Sequence, residues 1–468
     1  MEANLNIKKS SFCVTGASCS EKQNLFNSLA TNEMAIVSLE LATKVILDER
    51  KNDDSEYCEG GIDIGRTVEK YLAEVLPQDN VLNLKTHKDV IFCGIENILQ
   101  RGLKYLSTGE MRRTLLCRAM LQKSKPILLN EPFAGLDISS YNKLFEYIND
   151  SVKTNARIII LFVERFADIP KAIDYILDYS SFEKPFSGPR DEYALLWSKH
   201  NERIKEQQHL DNLHFKTEFN QIDNEQNSEK LTSSQPAELV RFNNVNVGWG
   251  DTKVLQDIQW VLHAGEHTLI QGPNGSGKTT MLELITGDNT QVYCNDIWLF
   301  GKKRGTGETI WDIKKKIGIV SYKIHVEYKL IGGIDIEAVL LSGFHDSIGL
   351  YEARSKIEQT IVKKWLKLGG FEGREKDNFA KLSYCDQRLL LILRSAVKSA
   401  PILILDEPCH GLDETSREKV LTLIDAIAER GQSTILHVTH DPTEIRSFET
   451  KKIELCPNQS PMYKITSH

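Results

Sequence analysis

The chain has little of what would assign it to a membrane, a secreted scaffold or a nucleic-acid surface. No apolar run approaches the ~18–20 residues that cross a bilayer, so no spanning helix is expected. Met1 to Lys9 is polar and lacks the apolar core of a signal peptide. Basic residues do not dominate: 58 Lys and Arg stand against 65 Asp and Glu, a net charge of −7. That balance excludes a general attraction to nucleic acid and leaves no direct nucleic-acid signature. The nine cysteines stand singly with no C-x-x-C pair, as reduced thiols in a cytoplasmic protein would, and none is assigned to a metal.

What is present is a globular composition, 41% hydrophobic and 26% charged, over 468 residues, enough for two or three domains with full cores. The chain also repeats itself. Gly272-Pro273-Asn274-Gly275-Ser276-Gly277-Lys278-Thr279 has a degraded counterpart at residues 16–23, Gly-Ala-Ser-Cys-Ser-Glu-Lys-Gln. Leu106-Ser107-Thr108-Gly109-Glu110 follows the first loop by 90 residues, and Leu382-Ser383-Tyr384-Cys385-Asp386 follows the second by 110. Apolar strands Ile127–Leu129 and Ile402–Leu405 come next, leading into Asn130-Glu131 and Asp406-Glu407, and then into Gly-Leu-Asp at 135–137 and 411–413. Unbroken apolar strands alternating with amphipathic helices predict an α/β fold with parallel sheets covered on both faces.

The copies differ at the front. The second has roughly 30 residues before its loop, with patterns at Val245–Gly250 and Val254–Val261 that suit short antiparallel strands. The first has 15 and so should lack that region. The expected organisation is a degenerate domain over 1–182, a polar linker over 183–237 and an intact domain over 238–468. Ser198 to Lys230 carries five basic and seven acidic residues, which reads as a helix followed by a loose tether.

The residue types dictate a chemistry. Gly272, Gly275 and Gly277 let backbone N–H groups approach a phosphate chain, and the helix from about Lys278 points its positive end at that anion. Lys278 would reach the β- and γ-phosphates, and Thr279, ahead of Thr280, would ligate Mg²⁺. Asp406 would hold Mg²⁺ through water, and Glu407 is the natural general base for the attacking water. His440, at the end of the strand Thr434–Val438, would orient that water, although a strand-end histidine taken alone is more often structural. Trp249 stands where an aromatic can stack on adenine, or it packs within the leading β-region.

Together, the ordered set of phosphate loop, Leu-Ser-x-Gly-Glu, apolar strand with Asp-Glu-Pro, Gly-Leu-Asp and a final histidine resembles the ATP-binding cassette ATPases, twice over nearly the whole chain. The resemblance implies two tandem P-loop domains, each a parallel sheet core with a helical subdomain, paired head to tail within the chain. In such a pair each ATP lies between the phosphate loop of one cassette and the signature of the other. Ser107 and Gly109 would then cap the γ-phosphate held by Lys278, with Asp137 approaching across the interface. Ser107 supplies a hydroxyl and Gly109 an unshielded backbone N–H, while Leu106–Glu110 also reads as a helix-capping sequence.

The opposite site should be dead. Glu21 puts a negative charge in the loop, Gln23 replaces the hydroxyl, Asn130 the carboxylate and Arg165 the histidine, and Cys385 fills the signature glycine. Surviving Lys22 and Glu131 leave room for nucleotide binding without turnover. Ser321-Tyr322-Lys323 stands where the family usually carries a glutamine that couples to a partner. Lys104–Glu110, Gly307–Lys315 and Asp346–Tyr351 are similar to a bacterial subgroup of tandem cassettes associated with molybdate uptake, also labelled photorepair proteins.

The expected function is thus an ATPase using ATP and Mg²⁺ at one composite site. It would be cytoplasmic, or peripheral at the inner face of the plasma membrane, and serve permease subunits in trans. Three other readings compete. Ribosome-associated tandem cassettes normally keep both sites and a basic linker. DNA-repair cassettes carry zinc modules or coiled coils, neither of which is found. A nucleotide-gated binder without turnover would not need Asp406, Glu407 and His440.

Overall fold

Short runs of isoleucine, leucine and valine form the central strands because both sheet faces are covered, so no alternate position has to be polar. The computed structural model describes residues 10–17, 19–52, 63–76, 83–226, 237–250, 252–350, 355–457 and 459–467. They divide into two compact units, one drawn from 1–135 and 139–201 and the other from 136–138 and 202–468.

The first unit holds β1 (Phe12–Thr15), β2 (Ala35–Val37), β3 (Ile127–Asn130), β4 (Ile159–Phe162), β5 (Tyr175–Asp178) and β6 (Phe186–Pro189). Their order across the sheet is β2-β3-β4-β1-β5-β6, parallel except for β6. The second unit holds β7 (Glu238–Trp249), β8 (Thr252–His263), β9 (Thr268–Gln271), β10 (Asp296–Leu299), β11 (Lys302–Lys303), β12 (Ile317–Val320), β13 (Ile402–Asp406), β14 (Thr434–Val438), β15 (Lys451–Leu455) and β16 (Tyr463–Ser467). Its main sheet runs β12-β13-β14-β9-β15-β16, again with only the last strand antiparallel. The two sheets match strand for strand, so the repeat in sequence is a repeat in topology.

The second unit adds an antiparallel sheet, β11-β10-β7-β8, that has no counterpart among the described residues of the first. Where the sequence pattern predicts short strands, β7 and β8 form one hairpin of two 12-residue strands. Register shifts between Phe242 and Gly248 absorb the breaks in alternation that made the strands look short.

Helices inserted between β2 and β3 in one unit, and between β12 and β13 in the other, form the helical subdomains. In the second unit, Ile336–His345, Lys356–Leu368 and Tyr384–Ala396 pack Val339, Leu340, Trp365 and Leu389 into one core.

The stretch read as a polar linker contains β6 and a 37-residue helix, Arg190–Gln226, about 55 Å long. Tyr193, near its start, is buried in the first unit and donates its hydroxyl to Asp178 (2.8 Å). Phe215, Phe219 and Ile222, near its end, belong to the core of the second unit's helical layer. Lys367–Glu218 (3.0 Å) and Arg430–Asp223 (2.7 Å) fasten that half at its rim. The tether expected after this helix falls mainly on residues 227–236, outside those described.

Candidate functional site

The phosphate-loop residues gather at the end of β9. Gly272, Gly275 and Gly277 have φ of +151°, +77° and +96°, backbone that a side chain would strain. Gly272 is also closely approached, since a Cβ there would lie 2.7 Å from the Leu455 carbonyl oxygen. The helix Lys278–Thr286 then starts with Gly277 as its cap and with no side chain bonded to its first N–H groups. The Ser276 hydroxyl is buried without a hydrogen-bond partner. This cradle fits an anion: the helix N-terminus lacks a side-chain cap and the Ser276 hydroxyl has no partner.

Lys278 folds its amine into the loop, donating to the carbonyls of Gly272 (2.8 Å) and Pro273 (3.0 Å). Burial lowers its pKa, opposed by the carboxylates of Glu407 and Asp406. Pro273, Asn274 and Gly275 lie on the exposed rim, and Thr279 and Thr280 form the first helical turn, Thr279 facing solvent. Trp249 ends β7 with 54% of its surface exposed.

Asp406 and Glu407 follow from the end of β13. Burial, reinforced by the neighbouring Glu407 charge, pushes the Asp406 carboxyl up to about 6. Its ionised form is thus costly without a cation, and carboxylate and hydroxyl oxygens such as those of Asp406 and Thr279 are of the kind that could hold Mg²⁺. Glu407 has φ +48°, an unusual backbone for a non-glycine residue, and its N–H bonds the Val438 carbonyl (2.9 Å). His440 Nε2 lies 3.1 Å from Glu407 Oε1. Burial works to raise the Glu407 carboxyl, but the bond and charge from His440 outweigh it and hold it below the usual range. The result is an ionised carboxylate oriented by His440. The loop carrying His440 is fixed by Arg417, which reaches Asp441 (3.1 Å) and Glu444 (3.2 Å).

Three contributors are not marked by any motif. Arg388, fully buried, donates to the Glu407 carbonyl (3.2 Å). Arg112, at the same offset from the other signature serine, donates to the carbonyls of Glu131 and Ala134. Glu131 shares the φ of +48°, so each unit uses one arginine to hold the same strained turn. This pairing was detectable only as an arginine five residues after each Leu-Ser serine.

The third contributor is His325. Ser321 caps the helix Tyr322–Ile331, accepting from the Ile324 N–H. His325 in that helix bonds Gln387 (2.7 Å) and stacks on Tyr384 at 4.7 Å. Burial pulls the His325 imidazole down to about 4. Unfolded histidine takes a proton near pH 6.5, so between about pH 6.5 and 4 the unfolded chain binds the extra proton. Stability from this site is therefore full above pH 6.5 and lost as pH falls toward 4, by on the order of 3 kcal/mol. Urea unfolding at pH 7 and pH 5 should show a larger loss for the natural chain than for His325→Gln; equal losses would reject this account.

The first unit places the corresponding groups differently. Lys22 donates to the carbonyls of Gly16 (2.9 Å) and Val163 (2.8 Å) and pairs with Glu131 (3.5 Å). Arg165 turns to Asp168 (2.8 Å). A Cβ on Gly16 would lie 2.4 Å from an oxygen of the buried Asp178, so a carboxylate packs against that loop. Ser107 caps the helix Thr108–Leu121, and a Cβ on Gly109 would meet nothing within 4 Å. Asp137 lies in the turn between Gly135 and the helix Ile138–Lys153. In the second unit's signature, Tyr384 instead turns inward, donating to the His410 carbonyl (3.1 Å) and lying 3.1 Å from where a Gly411 Cβ would be.

A doubled parallel sheet with a glycine cradle, a buried lysine and an acidic pair aligned by histidine defines a phosphate-loop ATPase of the cassette type. Residues 255–410 match the family model described as ABC transporter. The chain belongs to the ATP-binding cassette family, and as a member of it binds and hydrolyses ATP. It is 35% identical over 447 residues, 94% of this chain and 86% of the relative, to the ABC transporter ATP-binding protein ModF of Escherichia coli (strain K12). It is 29% identical over 238 residues, 51% of this chain and 75% of the relative, to the zinc import ATP-binding protein ZnuC of Haemophilus influenzae. Among solved structures it is similar to a dimeric post-hydrolysis ATP-binding cassette bound to ADP and phosphate, at 24% identity and a TM-score of 0.39, over 46% of this chain and 94% of that one. Among the described residues, no helix is long and apolar enough to cross a membrane.

Proposed function

We propose that the chain turns over ATP at one composite site, with the triphosphate held by Gly272–Thr280 and capped by Ser107 and Gly109. The supporting observation is the way the losses are divided. The second unit keeps an open cradle and an aligned Glu407–His440 pair, but its own signature is turned inward at Tyr384. The first unit keeps an open Gly109, while its Lys22 is tied to Glu131 and two carbonyls. Each half supplies what the other has lost.

Lys278 neutralises the β- and γ-phosphates, and Trp249 stacks on the base. Thr279 and Asp406 would hold Mg²⁺, whose charge would offset that of the phosphates. Glu407 takes a proton from the attacking water, whose oxygen bonds to the γ-phosphorus as the bond to the ADP oxygen breaks. His440 fixes the Glu407 carboxylate, and Asp137, in the turn after Gly135, approaches the γ-phosphate.

The wider role we infer is ATP-driven work on membrane permease subunits from the cytoplasmic face, in the uptake of molybdate or a related oxyanion. Similarity of Lys104–Glu110, Gly307–Lys315 and Asp346–Tyr351 to the molybdate-associated subgroup supports that setting. Ser107→Ala should lower turnover about 10²-fold, the effect of removing one donor to a developing anion. Ser383→Ala, its counterpart, should leave turnover nearly intact. Equal effects from the two serines would refute the composite site.

A further inference from the structure

The signature of the first unit already holds an anion, and that anion is its own side chain. Glu110 Oε2 accepts hydrogen bonds from the Ser107 N–H (2.9 Å) and from the Ser107 hydroxyl (3.0 Å). The Glu110 N–H returns a bond to the Ser107 hydroxyl (3.2 Å), closing a reciprocal cap. The other carboxylate oxygen, Oε1, is held by Arg101 Nη1 at 2.8 Å. Beside it, a Cβ on Gly109 would meet nothing within 4 Å among the described residues.

The second unit makes a different arrangement from a side chain one methylene shorter. Ser383 still accepts from the Asp386 N–H (3.0 Å), but the Asp386 carboxylate turns to Arg374 (3.6 Å). The reciprocal bond to the serine N–H is thus made in the first unit's signature, while in the second unit the carboxylate is drawn to Arg374.

A carboxylate and a terminal phosphate are both oxyanions and compete for the same donors. Resting on the composite-site reading above, we infer that Glu110 is an internal competitor for the γ-phosphate. It occupies the Ser107 N–H and hydroxyl until ATP displaces it, and Arg101 retains the displaced carboxylate through Oε1. Glu110 is therefore a positioning residue that sets how much ATP is needed to close the site. It also distinguishes ATP from ADP, because ADP has no group to place at Ser107.

Glu110→Gln in the full chain tests this. Glutamine keeps the capping bond but removes the charge, so thermal stability should hold. The KM for ATP should fall about twofold to fivefold, the range expected for removing a partly exposed like charge. Inhibition by ADP should be unchanged. An unaltered KM, or an equal shift in ATP and ADP affinity, would overturn the inference and leave Glu110 as a helix cap. If Ser107→Ala slows turnover while Glu110→Gln does nothing, only this inference fails. If Ser107→Ala is itself silent, the composite site fails and this inference falls with it.

Discussion

Replacing Glu407 by Gln is expected to lower ATP turnover roughly 10²–10⁴-fold, the usual contribution of a positioned general base. The amide keeps the size of the carboxylate and can still meet His440, but it cannot accept the proton of the attacking water. ATP binding should persist, because Lys278 and the loop glycines are untouched and one negative charge beside the phosphates is removed. The backbone should not relax, since the φ of +48° at residue 407 is held by the Val438 carbonyl and by Arg388 rather than by the side chain. Steady-state phosphate release together with equilibrium binding of labelled ATP measures both halves. Turnover retained above about a tenth of normal would remove Glu407 from the role of base. The same variant, held in its ATP-bound form, is the bait for identifying the partner by pull-down.

Trp365→Ala should destabilise the second unit by about 3–5 kcal/mol, the cost of truncating a buried aromatic to alanine. Trp365 is buried and meets Phe219 edge to face at 5.5 Å. The Arg430 guanidinium lies 5.1 Å from the Phe219 ring and 5.4 Å from the Trp365 ring while bonding Asp223. Its indole N–H has no hydrogen-bond partner, so the loss is one of packing. Phe219 and Asp223 belong to the long helix, so the variant should also free its second half. Urea unfolding gives the energy, and limited proteolysis over residues 202–226 reports the release of the helix. A shift below about 1 kcal/mol, with the helix still protected, would show that the helix is not held through this cluster.

How much could be read beforehand differs from place to place. The phosphate loop was legible because positive φ at Gly275 and Gly277 and a charge at Lys278 can be met by few residue types in one order. The sheet was legible because strands covered on both faces leave continuous apolar runs, such as Ile402–Leu405. The seating of the long helix was not. Phe215, Phe219 and Ile222 lie on one stripe, but Leu210 and Leu213 are more than half exposed on the same helix. Apolar content therefore did not reveal which stripe another element would cover. The helix after β12 is hidden for a related reason: Ser321 announces a cap only once the following residues are seen to pack.

The sequence alone determined the α/β architecture, its duplication and the chemistry of a nucleotide site, because each rests on residue types at short, fixed spacings. Tertiary structure decided which donors and charges are already engaged. Lys22 meets Glu131, Asp178 packs on Gly16, His440 aligns Glu407 and Tyr384 reaches the His410 carbonyl only because the fold joins segments from 26 to 162 residues apart. Electrostatic and hydrogen-bond energies depend on distances of a few ångströms, and those distances are set by packing rather than by order along the chain.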